Sequence, residues 1–204
     1  MAYIISSDAI KETLPGYDPK FAEKFHDIST KLADKKFEKA LKNSSMKRVI
    51  LMSGGSASGK SEYVSEYLKK QKIIISDGTS SSYNRANIKI EKALKHRKKL
   101  EIHAVWPTDF ATAFEAFFSR DRQFSPEHFY RTHSKSRKTL LRIVRKYPEI
   151  SITIIVSKYD ENRKGQKMEF EVLTDTNRDK LIEFLEKNQY TEEEIKRSQR
   201  LYEI

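Results

Sequence analysis

Five short apolar runs recur along the chain, at 2–6, 48–53, 72–76, 100–106 and 151–157. Each run has the length and the β-branched content of a strand that is buried on both faces of a parallel sheet. Helical patterns of apolar and polar positions lie between and after them, at about 20–42, 60–70, 84–98, 109–119, 126–146 and 176–187. Strands that alternate with helices predict an α/β fold, with a mostly parallel central sheet of about five strands.

The C-terminal part of the chain follows a different pattern. Residues 160–165 are polar and predict a turn, and residues 167–173 then alternate between apolar and polar positions. This alternation predicts an antiparallel edge strand paired with 151–157. Thr191 and Glu194 have the spacing of a capping box and predict a short terminal helix.

A glycine-rich motif follows the second apolar run. Residues 54–61 match the pattern G-x-x-x-x-G-K-[ST], between a predicted strand and a predicted helix whose buried face holds Tyr63, Val64, Tyr67 and Leu68. In this context the loop amides can surround a phosphate at the positive end of the helix dipole. The motif predicts binding of ATP or GTP with Mg2+. Its predicted nucleotide-binding residues are Gly54, Gly55, Ser56, Ala57, Ser58, Gly59, Lys60 and Ser61.

Within this loop, two residues have predicted chemical roles. Lys60 supplies a positive charge to the β- and γ-phosphates, which makes it a candidate catalytic residue. The hydroxyl group of Ser61 is a candidate ligand of Mg2+. A flexible turn that matches the motif by chance is the alternative, and the correct strand and helix on either side argue against it.

Two predicted strands end in an aspartate. Asp77 opens the triplet Asp77-Gly78-Thr79 after the third strand, and Asp8 follows the first strand. Ligands bind at the carboxyl ends of the strands in open α/β sheets, so both carboxylates are expected near the phosphate loop. We predict that Asp77 holds Mg2+ or the acceptor, and that Asp8 is the base that deprotonates an acceptor hydroxyl. The alternative for both is a helix N-cap or the start of a turn.

Arginines precede a predicted helix start at Ser125-Pro126. Arg120 and Arg122 lie in a turn between two helices, where they could form a lid and neutralise the phosphoryl group during transfer. Arg131 is a further candidate cation, and a generic basic surface loop is the alternative. His133 is predicted to be a surface or capped histidine.

The net charge of +11 admits two interpretations, attraction to nucleic acid or a phosphate-handling enzyme with a lysine-rich surface. The basic residues are spread along the chain and are not expected to gather on one helix face, which favours the second interpretation.

With no cysteine, the chain can form neither disulfides nor a thiolate zinc site. No apolar run approaches the ~20 residues of a membrane span, and the N-terminus lacks the features of a signal peptide, so we expect a cytoplasmic protein that does not enter membranes.

Together these motifs resemble the zeta-toxin family of P-loop kinases. The matching pieces are the loop 54–61, the triplet 77–79 and the segment 120–126. Family members usually carry, after the loop helix, a strand that ends in Asp, then a basic residue, Pro-x-Tyr and a helix. Here the similar piece is the N-terminal segment 7–18, in which Lys11 is the basic residue. The resemblance therefore implies a circular-permutation-like order of elements.

The resemblance implies one P-loop NTPase-type domain, a three-layer sandwich over residues 1–204. Its parts are a displaced strand-helix unit at 1–45, the phosphate-loop core and lid at 46–160, and a C-terminal strand and helices at 161–204. It also implies an ATP-dependent kinase for a small hydroxyl acceptor, such as a UDP-activated amino sugar, and a toxin-type kinase would have an antitoxin as protein partner. The expected substrate-binding residues are Asp77, Thr79, Lys11 and Arg131. Two alternatives stay open: a polynucleotide kinase or other nucleic-acid enzyme, and a non-catalytic nucleotide-binding regulatory module.

Overall fold

In the computed structural model of this chain, which describes residues 1–159, 168–173 and 177–200, six strands form one sheet. The strands are β1 (Tyr3–Ser6), β2 (Arg48–Ser53), β3 (Ile73–Asp77), β4 (Lys99–Pro107), β5 (Ser151–Tyr159) and β6 (Met168–Leu173). Their order across the sheet is β1-β3-β2-β4-β5-β6. The first five strands are parallel, and β6 pairs antiparallel with β5, which confirms the predicted edge strand. The predicted turn at 160–165 lies outside the described residues.

Helices connect the strands and cover both faces of the sheet. The α-helices are α1 (Ser7–Lys11), α2 (His26–Asn43), α3 (Lys60–Tyr63), α4 (Tyr83–Lys95), α5 (Phe110–Phe118), α6 (Pro126–Lys146), α7 (Arg178–Lys187) and α8 (Glu192–Arg200). The predicted helix 20–42 is divided, because a 3-10 turn (Pro19–Phe25) precedes α2. The capping box of α8 is confirmed, since the Glu194 amide donates to the Thr191 hydroxyl and the Thr191 amide donates to the Glu194 carboxylate.

The helix after the glycine-rich loop differs from the prediction. It is α-helical only over α3 and continues as a π-helical turn (Val64–Leu68), in which the Lys69 amide donates to the Val64 carbonyl. A π-helical turn holds more residues than an α-helical one, so the later side chains rotate around the axis. Tyr67 is consequently 47% exposed, and the expectation that it lies on the buried face is wrong.

The core lies on both faces of the sheet because the inner strands are apolar on both sides. Ile73, Ile74 and Ile75 are all fully buried. Helices α2, α4, α6 and α7 pack on one face, and α3 with its π-helical turn packs on the other. A third cluster, from α5, α8 and the start of α6, packs beside the glycine-rich loop. Among the described helices, none is long and apolar enough to cross a membrane.

The N-terminal strand determines where the chain's first aspartate lies. β1 pairs in parallel with β3, and Ser6 is opposite Asp77 in the register. The carboxyl ends of β1, β3 and β2 therefore meet at one edge of the sheet. The segment 7–18 precedes β2 in the sequence, yet it begins beside the loop that follows β2.

The exposed face of α6 is strongly basic. Arg131, Lys135, Lys138, Arg142 and Arg145 are all exposed and recur at intervals of four and three residues. We call this row the α6 stripe. The expectation that basic residues do not gather on one helix face is therefore wrong, because helical periodicity aligns residues that look dispersed in the sequence.

Candidate functional site

A cleft at the carboxyl ends of β1, β2 and β3 brings most of the predicted site residues together. The predicted residues that line it are Asp8, Lys11, Ser56, Ala57, Ser58, Gly59, Lys60, Ser61, Asp77, Thr79, Arg120 and Arg122. Gly54 and Gly55 begin the loop and are not among the described residues that line the cleft; they pack against Val105 and His133. Arg131 is not among the described residues that line the cleft. Its guanidinium group lies on the exposed side of α6 and contacts Nδ1 of His128 at 3.4 Å.

Three carbonyl groups of the glycine-rich loop point away from the cleft. Three successive carbonyl oxygens accept hydrogen bonds from outside the loop: that of Ser56 from Nε2 of His133 (2.8 Å), that of Ala57 from the hydroxyl of Tyr159 (2.8 Å) and that of Ser58 from the hydroxyl of Ser157 (2.9 Å). In a trans peptide the N–H group points opposite to the carbonyl group. The amides of residues 57–59 are therefore directed into the cleft, as an anion-binding nest requires.

Two glycines of the loop are required by close packing. Gly54 has a φ of +130°, and a Cβ atom there would lie 2.2 Å from the carbonyl oxygen of Val105. A Cβ atom on Gly55 would lie 2.1 Å from the imidazole ring of His133. Real side chains do not approach so closely, so any larger residue would displace the loop from β4 or from α6.

Lys60 is folded back onto the loop. Its Nζ atom donates to the carbonyl oxygen of Gly55 at 2.5 Å and to the hydroxyl of Ser58 at 3.2 Å. The residue is only 8% exposed, and burial lowers the pKa of its ammonium group to about 8. A phosphate in the cleft would offer this buried cation a stronger partner than a neutral carbonyl.

Ser61 and Asp77 form a contact suited to a hard divalent cation. The hydroxyl of Ser61 donates to Oδ2 of Asp77 at 2.9 Å, across the gap between α3 and the end of β3. Burial raises the pKa of the Asp77 carboxyl, while Lys60 and the Ser61 hydrogen bond oppose that rise. Hydroxyl and carboxylate oxygens are the ligands that Mg2+ prefers, so these two residues fit the predicted metal site. Asp77 ends a strand and caps no helix.

Asp8 lies in the first turn of α1 and forms two ion pairs. Its carboxylate contacts Nζ of Lys11 at 3.0 Å and a guanidinium nitrogen of Arg122 at 2.5 Å. Burial works to raise the pKa of this carboxyl, but the positive charges of these two cations and of Arg120 outweigh it and hold the pKa below its ordinary value. The interpretation of Asp8 as an N-cap is wrong, because Ser6 is the N-cap and accepts from the Asp8 amide.

The remaining wall of the cleft is built from aromatic rings. Lys11 is fully buried, and its Nζ atom lies 4.5 Å from the centre of the Phe124 ring. His128 and His26 pack around the same ring, with centroid distances of 4.3 and 6.1 Å. Burial lowers the pKa of both imidazoles, that of His128 to about 4, so both are neutral near pH 7. This wall combines one buried cation with flat, neutral rings.

Sequence reasoning missed the residues that support the loop from behind. His133 is 1% exposed, so the expectation of a surface histidine is wrong. Thr132 beside it accepts from the Ser56 amide at 3.0 Å. Ser157 and Tyr159 lie at the carboxyl end of β5. The rule that ligands bind at the carboxyl ends of strands pointed to Asp8 and Asp77, and it applies to these two residues as well. Nothing in the local sequence indicates that α6 packs against the loop.

Comparison of the chain with models of protein families and with curated proteins gives no match.

Proposed function

We propose that this chain is an ATP- or GTP-dependent phosphotransferase of the P-loop type, which transfers the γ-phosphate to a hydroxyl group of a small acceptor. The observation that carries the proposal is the position of Asp8, whose side chain lines the same cleft as the glycine-rich loop. A carboxylate close to an anion-binding nest can act as the general base that takes the proton from an acceptor hydroxyl. The resemblance to zeta-toxin kinases suggests a UDP-activated amino sugar as the acceptor.

The loop and its neighbours would bind the triphosphate. The inward amides of residues 57–59 bind the phosphate oxygens, and Lys60 leaves the Gly55 carbonyl to contact the β- and γ-phosphates. Ser61 and Asp77 would hold Mg2+, which when bound neutralises part of the phosphate charge. Much of the catalytic effect in this reaction class comes from such positioning and charge neutralisation.

The transfer step uses Asp8 and the lid arginines. The acceptor oxygen forms a bond to the γ-phosphorus while the bond from that phosphorus to the β–γ bridging oxygen breaks. The hydroxyl proton passes to the carboxylate of Asp8, and the nucleoside diphosphate leaves. Arg120 and Arg122 neutralise the charge on the moving phosphoryl group.

The ion pair between Asp8 and Arg122 must change before this step. A carboxylate with a lowered pKa is a weak base, and Arg122 is one of the three cations responsible for that lowering, with Lys11 and Arg120. A γ-phosphate competes for the same guanidinium group because its oxygens accept two parallel hydrogen bonds. We expect Arg122 to turn toward the phosphate, which leaves Asp8 paired with Lys11 alone.

The direct test is the variant Asp8→Asn, assayed with γ-labelled ATP and a panel of UDP-sugars. Loss of a general base predicts a fall in turnover of roughly 10^2–10^4-fold with nucleotide affinity kept. Asp121→Asn is a matched control, because Asp121 is an exposed carboxylate of the same lid and is not among the described residues lining the cleft. Its turnover should equal that of the unaltered protein.

Two results would refute the proposal in different ways. Label on 5′-hydroxyl oligonucleotides and none on any sugar would identify a polynucleotide kinase. If Lys60→Ala abolishes nucleotide binding while Asp8→Asn leaves every measurable activity unchanged, the chain is a nucleotide-binding regulatory module.

A further inference from the structure

The α6 stripe is a straight row of cations that the proposed phosphotransfer does not use. Its members run from Arg131 to Arg145 at intervals of four, three, four and three residues, which keeps them on one side of the helix. At a rise of 1.5 Å per residue the row is about 21 Å long. The only acidic residue of α6 is Glu127, in the first turn and outside the row.

Most of this charge has no acidic partner. Within the described part of the chain, no carboxylate forms an ion pair with Arg131, Lys135, Lys138 or Arg142, whereas Arg145 pairs with Glu186. The structure also orients one of these four cations, because the Arg142 guanidinium lies 3.6 Å from the centre of the Tyr83 ring. Lys138 forms no ion pair, but it is close enough to Glu194 of α8 to help lower the pKa of that carboxyl. A row with four cations outside any ion pair among the described residues favours a partner with repeated negative charges at similar spacing.

The surroundings of the stripe narrow the choice of partner. The large exposed apolar residues of the described chain all lie outside α6, so the stripe has no anchor for the apolar part of a membrane. Helices α4, α7 and α8 pack against α6 and would hinder its insertion into a nucleic-acid groove. What stays accessible is a ridge of cations, which suits contact with a phosphate backbone.

We propose that the α6 stripe binds the phosphodiester backbone of a nucleic acid without reading its sequence. The binding surface is separate from the phosphate loop: it starts at Arg131, one turn from His128 of the cleft, and extends away along α6. The net charge of +11 adds long-range attraction, and the stripe concentrates it at one place. This proposal does not depend on the identity of the acceptor or on catalysis.

The test measures binding of a labelled single-stranded oligonucleotide by fluorescence anisotropy over a range of salt concentrations. The variant Lys135→Glu/Lys138→Glu changes two exposed residues of the stripe. The matched control Lys35→Glu/Lys39→Glu makes the same change in net charge at two exposed lysines of α2. Lys60→Ala separates the stripe from the phosphate loop.

For the unaltered protein we expect affinity to fall linearly with salt on a logarithmic scale. The stripe variant should bind at least tenfold more weakly at low salt, and its slope should be smaller by about 1.4, since each lost phosphate contact removes about 0.7. The α2 variant should keep the slope, and Lys60→Ala should bind the oligonucleotide normally. If the stripe variant fails to fold, Lys135→Gln/Lys138→Gln replaces it, with an expected slope change of the same sign.

Several outcomes would overturn this inference. Equal losses in the stripe and α2 variants would show that net charge alone attracts the oligonucleotide. Loss of binding in Lys60→Ala would locate the oligonucleotide in the cleft. Absence of binding by the unaltered protein, or binding to anionic phospholipid vesicles that the oligonucleotide does not compete away, would exclude a nucleic-acid surface.

Discussion

The buried state of Lys60 predicts an unusual pH dependence of nucleotide binding. Burial lowers the pKa of its ammonium group from 10.5 to about 8 in the free protein. Only the protonated form attracts phosphate strongly, and a bound phosphate in turn favours protonation. Nucleotide affinity should therefore be highest well below pH 8 and should decrease as the pH rises through 8.

The size of the effect follows from the protonated fraction. With a pKa of about 8, Lys60 is about nine-tenths protonated at pH 7 and about one-tenth protonated at pH 9. The apparent affinity should thus fall about tenfold between these pH values, which corresponds to ~1.4 kcal/mol. Tyr159 and His128 do not titrate in this window, because the pKa of Tyr159 is raised to about 12 and that of His128 is lowered to about 4.

The measurement is calorimetric titration with a non-hydrolysable ATP analogue and Mg2+ at pH 7, 8 and 9. Lys60→Arg is the control, because a guanidinium group stays protonated throughout and its affinity should not change with pH. A flat profile for the unaltered protein would refute the reasoning. Lys60 would then either keep an ordinary pKa or make no contact with phosphate.

Two further predictions concern the loop and the lid. Gly55→Ala introduces a Cβ atom 2.1 Å from the ring of His133, so this variant should lose ~1–3 kcal/mol of stability and should no longer bind nucleotide. Gly78→Ala is the control, because a Cβ atom there has nothing within 4 Å, and it should keep both stability and nucleotide binding. Equal melting temperatures for the two variants would contradict this prediction. Arg122→Gln removes one of the two cations that form ion pairs with Asp8, so it should raise the pKa of the Asp8 carboxyl. An NMR titration of the carboxyl carbon would detect this change as a higher midpoint. An unchanged midpoint would show that the ion pair is absent in solution.

The elements that could be predicted from the sequence depend on near neighbours. The strand-loop-helix around residues 54–61, the antiparallel pairing of β6 and the capping box at Thr191 all follow from local periodicity and local backbone chemistry. The same holds for Asp8 and Asp77, because the end of a predicted strand is a position that a sequence shows directly. The α6 stripe is also present in the sequence, as basic residues at intervals of four and three, but only helical periodicity places these residues on one face.

Contacts between distant segments could not be predicted from local patterns. The pairing of β1 with β3, the ion pair of Asp8 with Arg122 and the burial of His133 behind Gly55 each join residues far apart in the chain. Lys60 illustrates the difference most clearly. The motif predicts a cation at this position, but its lowered pKa arises only when the folded chain removes the ammonium group from water. Local sequence thus determined which chemical groups are present, and tertiary packing decided their partners and charge states, because both depend on solvent exclusion by residues that no local pattern brings together.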